Sequence, residues 1–96
     1  MIASFADAAT EHLFNGKDTR EARKIPKSIW SVAERKLDLL NGAKALADLK
    51  IPPGNRLEKL SGRLKGKYSI RVNDQYRIVF AFENGTASEV EITDYH

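Results

Sequence analysis

Residues Arg77-Ile78-Val79-Phe80-Ala81-Phe82-Glu83-Asn84-Gly85-Thr86-Ala87-Ser88-Glu89-Val90-Glu91-Ile92-Thr93-Asp94-Tyr95-His96 hold two alternating runs around one turn signal. Ile78, Phe80 and Phe82 alternate with Arg77, Val79 and Ala81, the period of a half-buried strand. Val90 and Ile92 alternate with Glu89, Glu91 and Thr93 and read as its partner. Asn84-Gly85 between them is a hairpin signal. A two-residue turn would set Phe80 opposite Glu89 and Ile78 opposite Glu91, pressing carboxylates against the core. A three-residue loop, Asn84-Gly85-Thr86 with Gly85 left-handed, sets Phe80 opposite Val90 and Ile78 opposite Ile92. Register follows the apolar face, so the three-residue loop is expected. Arg77 then falls opposite Thr93 on the other face. Tyr95 lies diagonal to Arg77 on that face, at roughly 7–8 Å between backbones. Asp94 points to the apolar face or the sheet edge and takes a supporting role.

The preceding strand extends this surface. Tyr68, Ile70 and Val72 form its apolar set, and Lys67, Ser69 and Arg71 the other. Asn73-Asp74-Gln75 supplies the turn. Joining Ile70 and Val72 to Ile78 and Phe80 puts Arg71 on the face of Arg77. An open basic face carrying Lys67, Arg71, Arg77 and Tyr95 is expected.

The first half of the chain is helical. Met1 to Phe5 can form a short strand. Asp7 is placed to cap a helix running to about Phe14, ended by Asn15-Gly16. Residues 17–27 hold five basic side chains against Asp18 and Glu21 and read as a mobile loop. Ser28 is placed to cap a helix from about Ile29 to Asn41, with Ile29, Ala33, Leu37 and Leu40 as its apolar stripe. Gly42 ends it, a further turn turns Leu46 and Leu49 inward, and Pro52-Pro53-Gly54 stops it. Arg56 to Leu60 alternates as a short strand. Helices come early and antiparallel strands late, which predicts one α+β domain over residues 1–96, with two helices packed on one face of a small sheet.

Ninety-six residues make one modest core. There is no cysteine, so neither disulfides nor thiolate metal sites are available, which suits a reducing cytosol. No apolar run is long enough for a bilayer, and a cytoplasmic, non-membrane protein is expected. Residues 56–80 carry seven basic side chains against two acidic ones, while residues 81–96 carry four acidic ones. The basic segment suits a polyanion such as nucleic acid. On charge alone an ordinary solvated sheet face accounts for it equally.

His12 and His96 are the only histidines, and no spacing makes a zinc site. Glu34-Arg35-Lys36 lacks the acidic partner a metal nuclease needs. No glycine-rich loop joins a strand to a helix, so no nucleotide cofactor is expected. What remains is Arg77, Asp94, Tyr95 and His96. RNA cleaves itself when its 2′-hydroxyl attacks the adjacent phosphorus. A protein must then supply a base, a cation for the developing charge and an acid for the leaving oxygen. Arg77 offers a planar fork for phosphate, and Tyr95 and His96 offer groups that move protons. A terminal segment with no chemical role fits the same residues at this point.

Ser69-Ile70-Arg71-Val72-Asn73-Asp74-Gln75-Tyr76-Arg77-Ile78, followed by Val90 to His96, resembles the HigB-type killer toxins of the RelE/ParE superfamily. Met1 to Phe5 and Pro52 to Leu57 also look like that group. The resemblance implies a small sheet with two helices on one face (RelE-like). It implies a toxin of a type II toxin–antitoxin system that enters the ribosomal A site and cuts mRNA without metal. Arg77, Asp94, Tyr95 and His96 take the catalytic positions. Lys59, Arg63, Lys65, Lys67 and Arg71 are the candidate RNA and ribosome contacts. The implied partners are the ribosome, mRNA and a helix-turn-helix antitoxin that brings the operator DNA. One departure stands out: Glu58 and Ser61 occupy positions where some members carry histidine and lysine, and Lys59, Arg63 or Lys65 is available to supply the charge. A gyrase inhibitor of the same fold, and a ribosome- or RNA-binding module without catalysis, are the alternatives.

Overall fold

The computed structural model describes residues 1–94. Tyr95 and His96, to which the sequence assigns proton chemistry, lie outside them. The sheet is antiparallel and in sequence order: β1 (Glu58–Lys59), β2 (Lys67–Arg71), β3 (Tyr76–Glu83) and β4 (Thr86–Asp94). Helices α1 (Ala8–Phe14) and α2 (Trp30–Gly42) pack on one face of it. This is the α+β arrangement expected.

The core forms where the helical stripe meets the sheet alternation. Ala33, Leu37 and Leu40 of α2 and Leu13 of α1 pack with Ile70, Ile78, Phe80, Val90 and Ile92. Each fully buried large side chain here contributes about 1.5–3 kcal/mol. Asp7 caps α1 by accepting from Thr10 N at 2.8 Å. Thr10 is itself fully buried, and its Oγ1 accepts the Ile92 amide at 2.9 Å, pinning the helix to β4.

Strand register matches expectation at Ile78↔Ile92 and Arg77↔Thr93, but the turn does not. Glu83 pairs with Thr86, so Asn84 and Gly85 alone make the turn, with φ of 51° and 77°. Positive φ at both central positions is the geometry a two-residue hairpin requires. The extra residue sits further along. Val79 pairs with Glu91 and Ala81 with Ser88, so Phe80 faces both Glu89 and Val90 in a β-bulge, with Glu89 left-handed at φ 51°. A bulge there and a longer loop at the turn shift the pairing by the same one residue.

Residues 1–6 run parallel beside β4 as two bridges, Ile2↔Ala87 and Phe5↔Val90, in place of a continuous strand. The bulge breaks the ladder between them, and Ser4 Oγ accepts the Glu89 amide at 2.9 Å.

Two loop expectations need correction. Residues 17–27 pack onto α1. Ala22 and Ile25 are buried, Thr19 Oγ1 accepts Ala22 N at 3.1 Å, and Asp18 pairs with Arg23 and Lys27 at 2.8 and 2.9 Å. The polar composition hid two inward apolar residues. Ser28 does not cap α2: a 3₁₀ turn over Lys27–Ile29 leads into it without a side-chain cap. The Trp30 indole, donating to Ile25 O at 2.7 Å, fixes the entry instead.

Candidate active site around Arg77

The second sheet face is not open. Arg77 is 8% exposed, and Ser69 and Val79 are fully buried on the same side. Leu60 is also buried, outside the main core cluster. At Arg77 this face meets the segment 51–57, which has no periodicity to announce it. Its 3₁₀ turn, Pro53–Asn55, ends in Arg56 at φ 45° and ψ 57°. That left-handed step turns the Arg56 carbonyl toward β3.

Arg77 meets it. Nη2 donates to Arg56 O at 2.6 Å, Nε donates to Ser69 Oγ at 2.8 Å, and Nη1 lies 3.7 Å from Glu58 Oε1. Ser69 and Glu58 pair directly across β1 and β2, and Ser69 pairs with Val79, so these side chains share one face. Burying a guanidinium is costly unless its donors are satisfied. Here three neutral acceptors, Ser69 Oγ, Ser69 O and Arg56 O, fix its orientation, and the Glu58 carboxylate beside them is half exposed, at 51%. The result is a cationic fork held still on its inner side and facing an accessible acid. Sequence reading placed Glu58 only as a departure from the family pattern. Its nearness to Arg77 depends on a two-residue strand pairing that alternation alone does not reveal.

The other basic residues divide. Arg71 sits opposite Arg77 in register, an unfavourable like-charge pairing. Its ion pair with Asp74 draws it toward the turn, and the Arg71 guanidinium holds the Asp74 carboxyl below its usual pKa. Lys67 shares the Arg77 face, with Glu89 at 4.0 Å. Arg63 and Lys65 are exposed on and just after the 3₁₀ turn Gly62–Leu64. Lys59 is not with them: it pairs with Tyr68, whose row continues to Phe80, so it belongs to the helix-covered side at the sheet edge.

Asp94 closes β4 opposite Tyr76 and accepts from Gln75 Nε2 at 2.9 Å. It lines a separate groove of about 490 Å³ with Asp7, Glu21, Lys24, Tyr76 and Ile92, against α1. Strand alternation therefore puts Asp94 across the sheet from Arg77. Among the described residues no group of three or more acidic or histidine side chains is placed to hold a metal, and no helix is long and apolar enough to cross a membrane.

A short antiparallel sheet carrying a buried arginine, with two helices on its far side, defines a RelE-like toxin fold. Solved structures agree: the YoeB–YefM complex from Staphylococcus aureus aligns with a TM-score of 0.60 at 16% identity, covering 100% of this chain and 98% of that one. A second structure, a heterotetrameric YoeB–YefM toxin–antitoxin complex from the same organism, aligns equally well.

Sequence comparison is narrower. The family described as "RelE-like toxin of type II toxin-antitoxin system HigB" matches residues 3–96. Toxin HigB-1 of Vibrio cholerae serotype O1 is 47% identical over 87 residues, covering 91% of this chain and 90% of that protein. An uncharacterised protein of Haemophilus influenzae is 40% identical over 67 residues, covering 70% and 66%. The chain belongs to the HigB family of type II toxin–antitoxin toxins.

Proposed function

We propose that this toxin is a ribosome-dependent endoribonuclease that cuts mRNA in the A site through the RNA 2′-hydroxyl. The observation that carries the reading is Arg77, fixed by Ser69 and the Arg56 carbonyl with Glu58 at 3.7 Å. A fork immobilised before substrate arrives needs little reorganisation when charge builds on the phosphorane oxygens. Glu58 is placed to take the 2′-hydroxyl proton. Tyr95 and His96 are the groups assigned to protonate the leaving 5′-oxygen, with Asp94 in support. Lys67, Arg71, Arg63 and Lys65 line the approach of the RNA backbone, while Lys59 serves from the sheet edge. The partners in this reading are the ribosome, mRNA and a cognate antitoxin with a helix-turn-helix domain, through which alone operator DNA is bound. The neighbouring complexes pair a toxin of this fold with an antitoxin, which supports an antitoxin partner. The compartment is the cytoplasm, where translation occurs.

The test is primer extension on an mRNA being translated in a purified system, beside a lane without ribosomes. Cuts confined to the translated lane and ending in 2′,3′-cyclic phosphate are expected. Glu58→Gln should slow cutting by about 10²-fold. Uncut mRNA with gyrase-dependent DNA breaks would replace the nuclease reading by gyrase inhibition. Arrested translation with uncut mRNA would leave a binding module.

A further inference from the structure

Helix α2 carries a cation that the Arg77 site does not use. Lys36 Nζ donates to Oδ1 of Asn55. Asn55 is fully buried, and its amide nitrogen reaches Leu49 O at 3.2 Å and Ile51 O at 3.3 Å. Among the described residues neither Lys36 nor Arg35 forms an ion pair with a carboxylate. Burial first, then the charges of Arg35 and Arg71, hold the Lys36 ammonium below its usual pKa. A half-buried cation whose charged neighbours are cations is a place where an anion is welcome.

The same lysine lines a groove of about 480 Å³ with Arg35, Asp38, Leu39 and Pro52. Leu39 and Pro52 offer an apolar surface, Arg35 and Lys36 a positive wall, and Asp38 one acceptor. That volume is within the range ligand clefts occupy. A nucleotide presents the matching set: a flat π-face, a phosphate, and amino or hydroxyl donors. An acidic peptide would lack the flat apolar face.

The groove is also tied to the Arg77 centre. Asn55 and Arg56 are consecutive, and Lys36 holds the side chain of the first while Arg77 holds the carbonyl of the second. One loop is therefore a wall of both places.

We propose that the groove between α2 and Pro52 seats one unpaired nucleotide of an RNA strand, its phosphate on Lys36 and Arg35 and its base against Leu39 and Pro52. This rests on the RNA-cleaving reading and extends its contact surface beyond the basic sheet face.

The test is a ¹H–¹⁵N titration of the folded toxin with hexa-adenylate RNA, with inorganic phosphate as the control ligand. Amide shifts at residues 35–39 and at Ile51, saturating together, are expected. Arg35 is exposed and among the described residues forms no side-chain hydrogen bond or ion pair, so Arg35→Ala keeps the structure. It should weaken binding and lower the salt slope by about one. Leu39→Ala should weaken binding by about tenfold. Shifts confined to the Ser69, Arg71 and Arg77 region would overturn the groove and leave the nuclease reading standing. Absence of shifts to millimolar RNA would overturn it too, with the nuclease reading decided separately by the translation assay. Equal shifts with phosphate, indifferent to Leu39→Ala, would reduce the site to an anion site and overturn the nucleotide assignment. Protection of residues 35–39 by antitoxin, with RNA binding unchanged in Arg35→Ala, would assign the groove to the protein partner instead.

Discussion

The Arg77 guanidinium donates to the main-chain carbonyl of Arg56 at 2.6 Å, so the cation assigned to the phosphate also holds down the loop that covers it. Two roles on one side chain make simple truncation ambiguous. Arg77→Ala leaves the Arg56 carbonyl and the buried Ser69 hydroxyl without their donor and should cost about 1–3 kcal/mol. Arg77→Lys keeps a charge but not the fork, so stability should recover in part while cutting stays at least about tenfold down. Urea unfolding run beside primer extension separates the two. Full cutting by Arg77→Lys would sink the clamp role.

Thr10 ties α1 to β4 through a buried hydroxyl. Thr10→Val preserves shape but strands the Ile92 amide. A loss of about 1–3 kcal/mol is expected, read as a lower urea midpoint at unchanged m-value. A neutral result would mean that the amide finds another acceptor.

The hairpin and the bulge predict opposite responses to glycine and alanine. At Gly85 an added Cβ would meet the Lys44 carbonyl oxygen at 3.1 Å, on a backbone with φ 77°. Gly85→Ala should therefore cost about 1–2 kcal/mol. Glu89 already bears a side chain at φ 51°, so Glu89→Gly should be neutral to about 1 kcal/mol stabilising. The lost Lys67 contact, at 4.0 Å and exposed on the Glu89 side, is weak. Thermal melts of both variants check the pair.

Asp48 accepts the amides of Lys44 and Ala45 at 2.9 and 3.1 Å, which holds its carboxyl below the usual 3.8. A folded-state pKa below the unfolded one means that the stabilisation is full above the ordinary value. It disappears as pH falls through the folded value. Carboxyl carbon NMR should show Asp48 titrating below 3.8, and Asp48→Asn should lose stability near neutrality but not in strong acid. An Asp48 midpoint at or above the ordinary value would contradict the cap.

The strand order and the Ile78–Ile92 register were legible because apolar residues every second position admit one buried face. The location of the extra residue was not. Alternation counts an offset of one between Phe82 and Val90 but is silent on whether a loop or a bulge absorbs it, and Glu89 has no side-chain feature that marks a left-handed backbone. The burial of Ser69 and Arg77 was hidden for another reason: polar residues on alternate positions read as solvated, and the loop whose Arg56 carbonyl meets Arg77 is irregular and proline-bearing. Glu58 was noticed only against the family pattern. The terminal Tyr95-His96 pair, central to the sequence reading, lies outside the described residues.

Past Ile2, whose amide donates to Asn41 Oδ1 of α2, the opening residues take hydrogen-bond partners on β4, with Ala3 N on Ala87 O at 2.7 Å and Ala6 N on Val90 O at 2.9 Å. A polypeptide leaving the ribosome N-terminus first carries those residues unmatched until β4 has been made. Until then β3 keeps one bare edge, and the helices lack Ala87, Val90 and Ile92 as cover. Synthesis halted before Thr86 thus yields a sticky, incomplete chain whose core stays uncovered: the fold completes all at once.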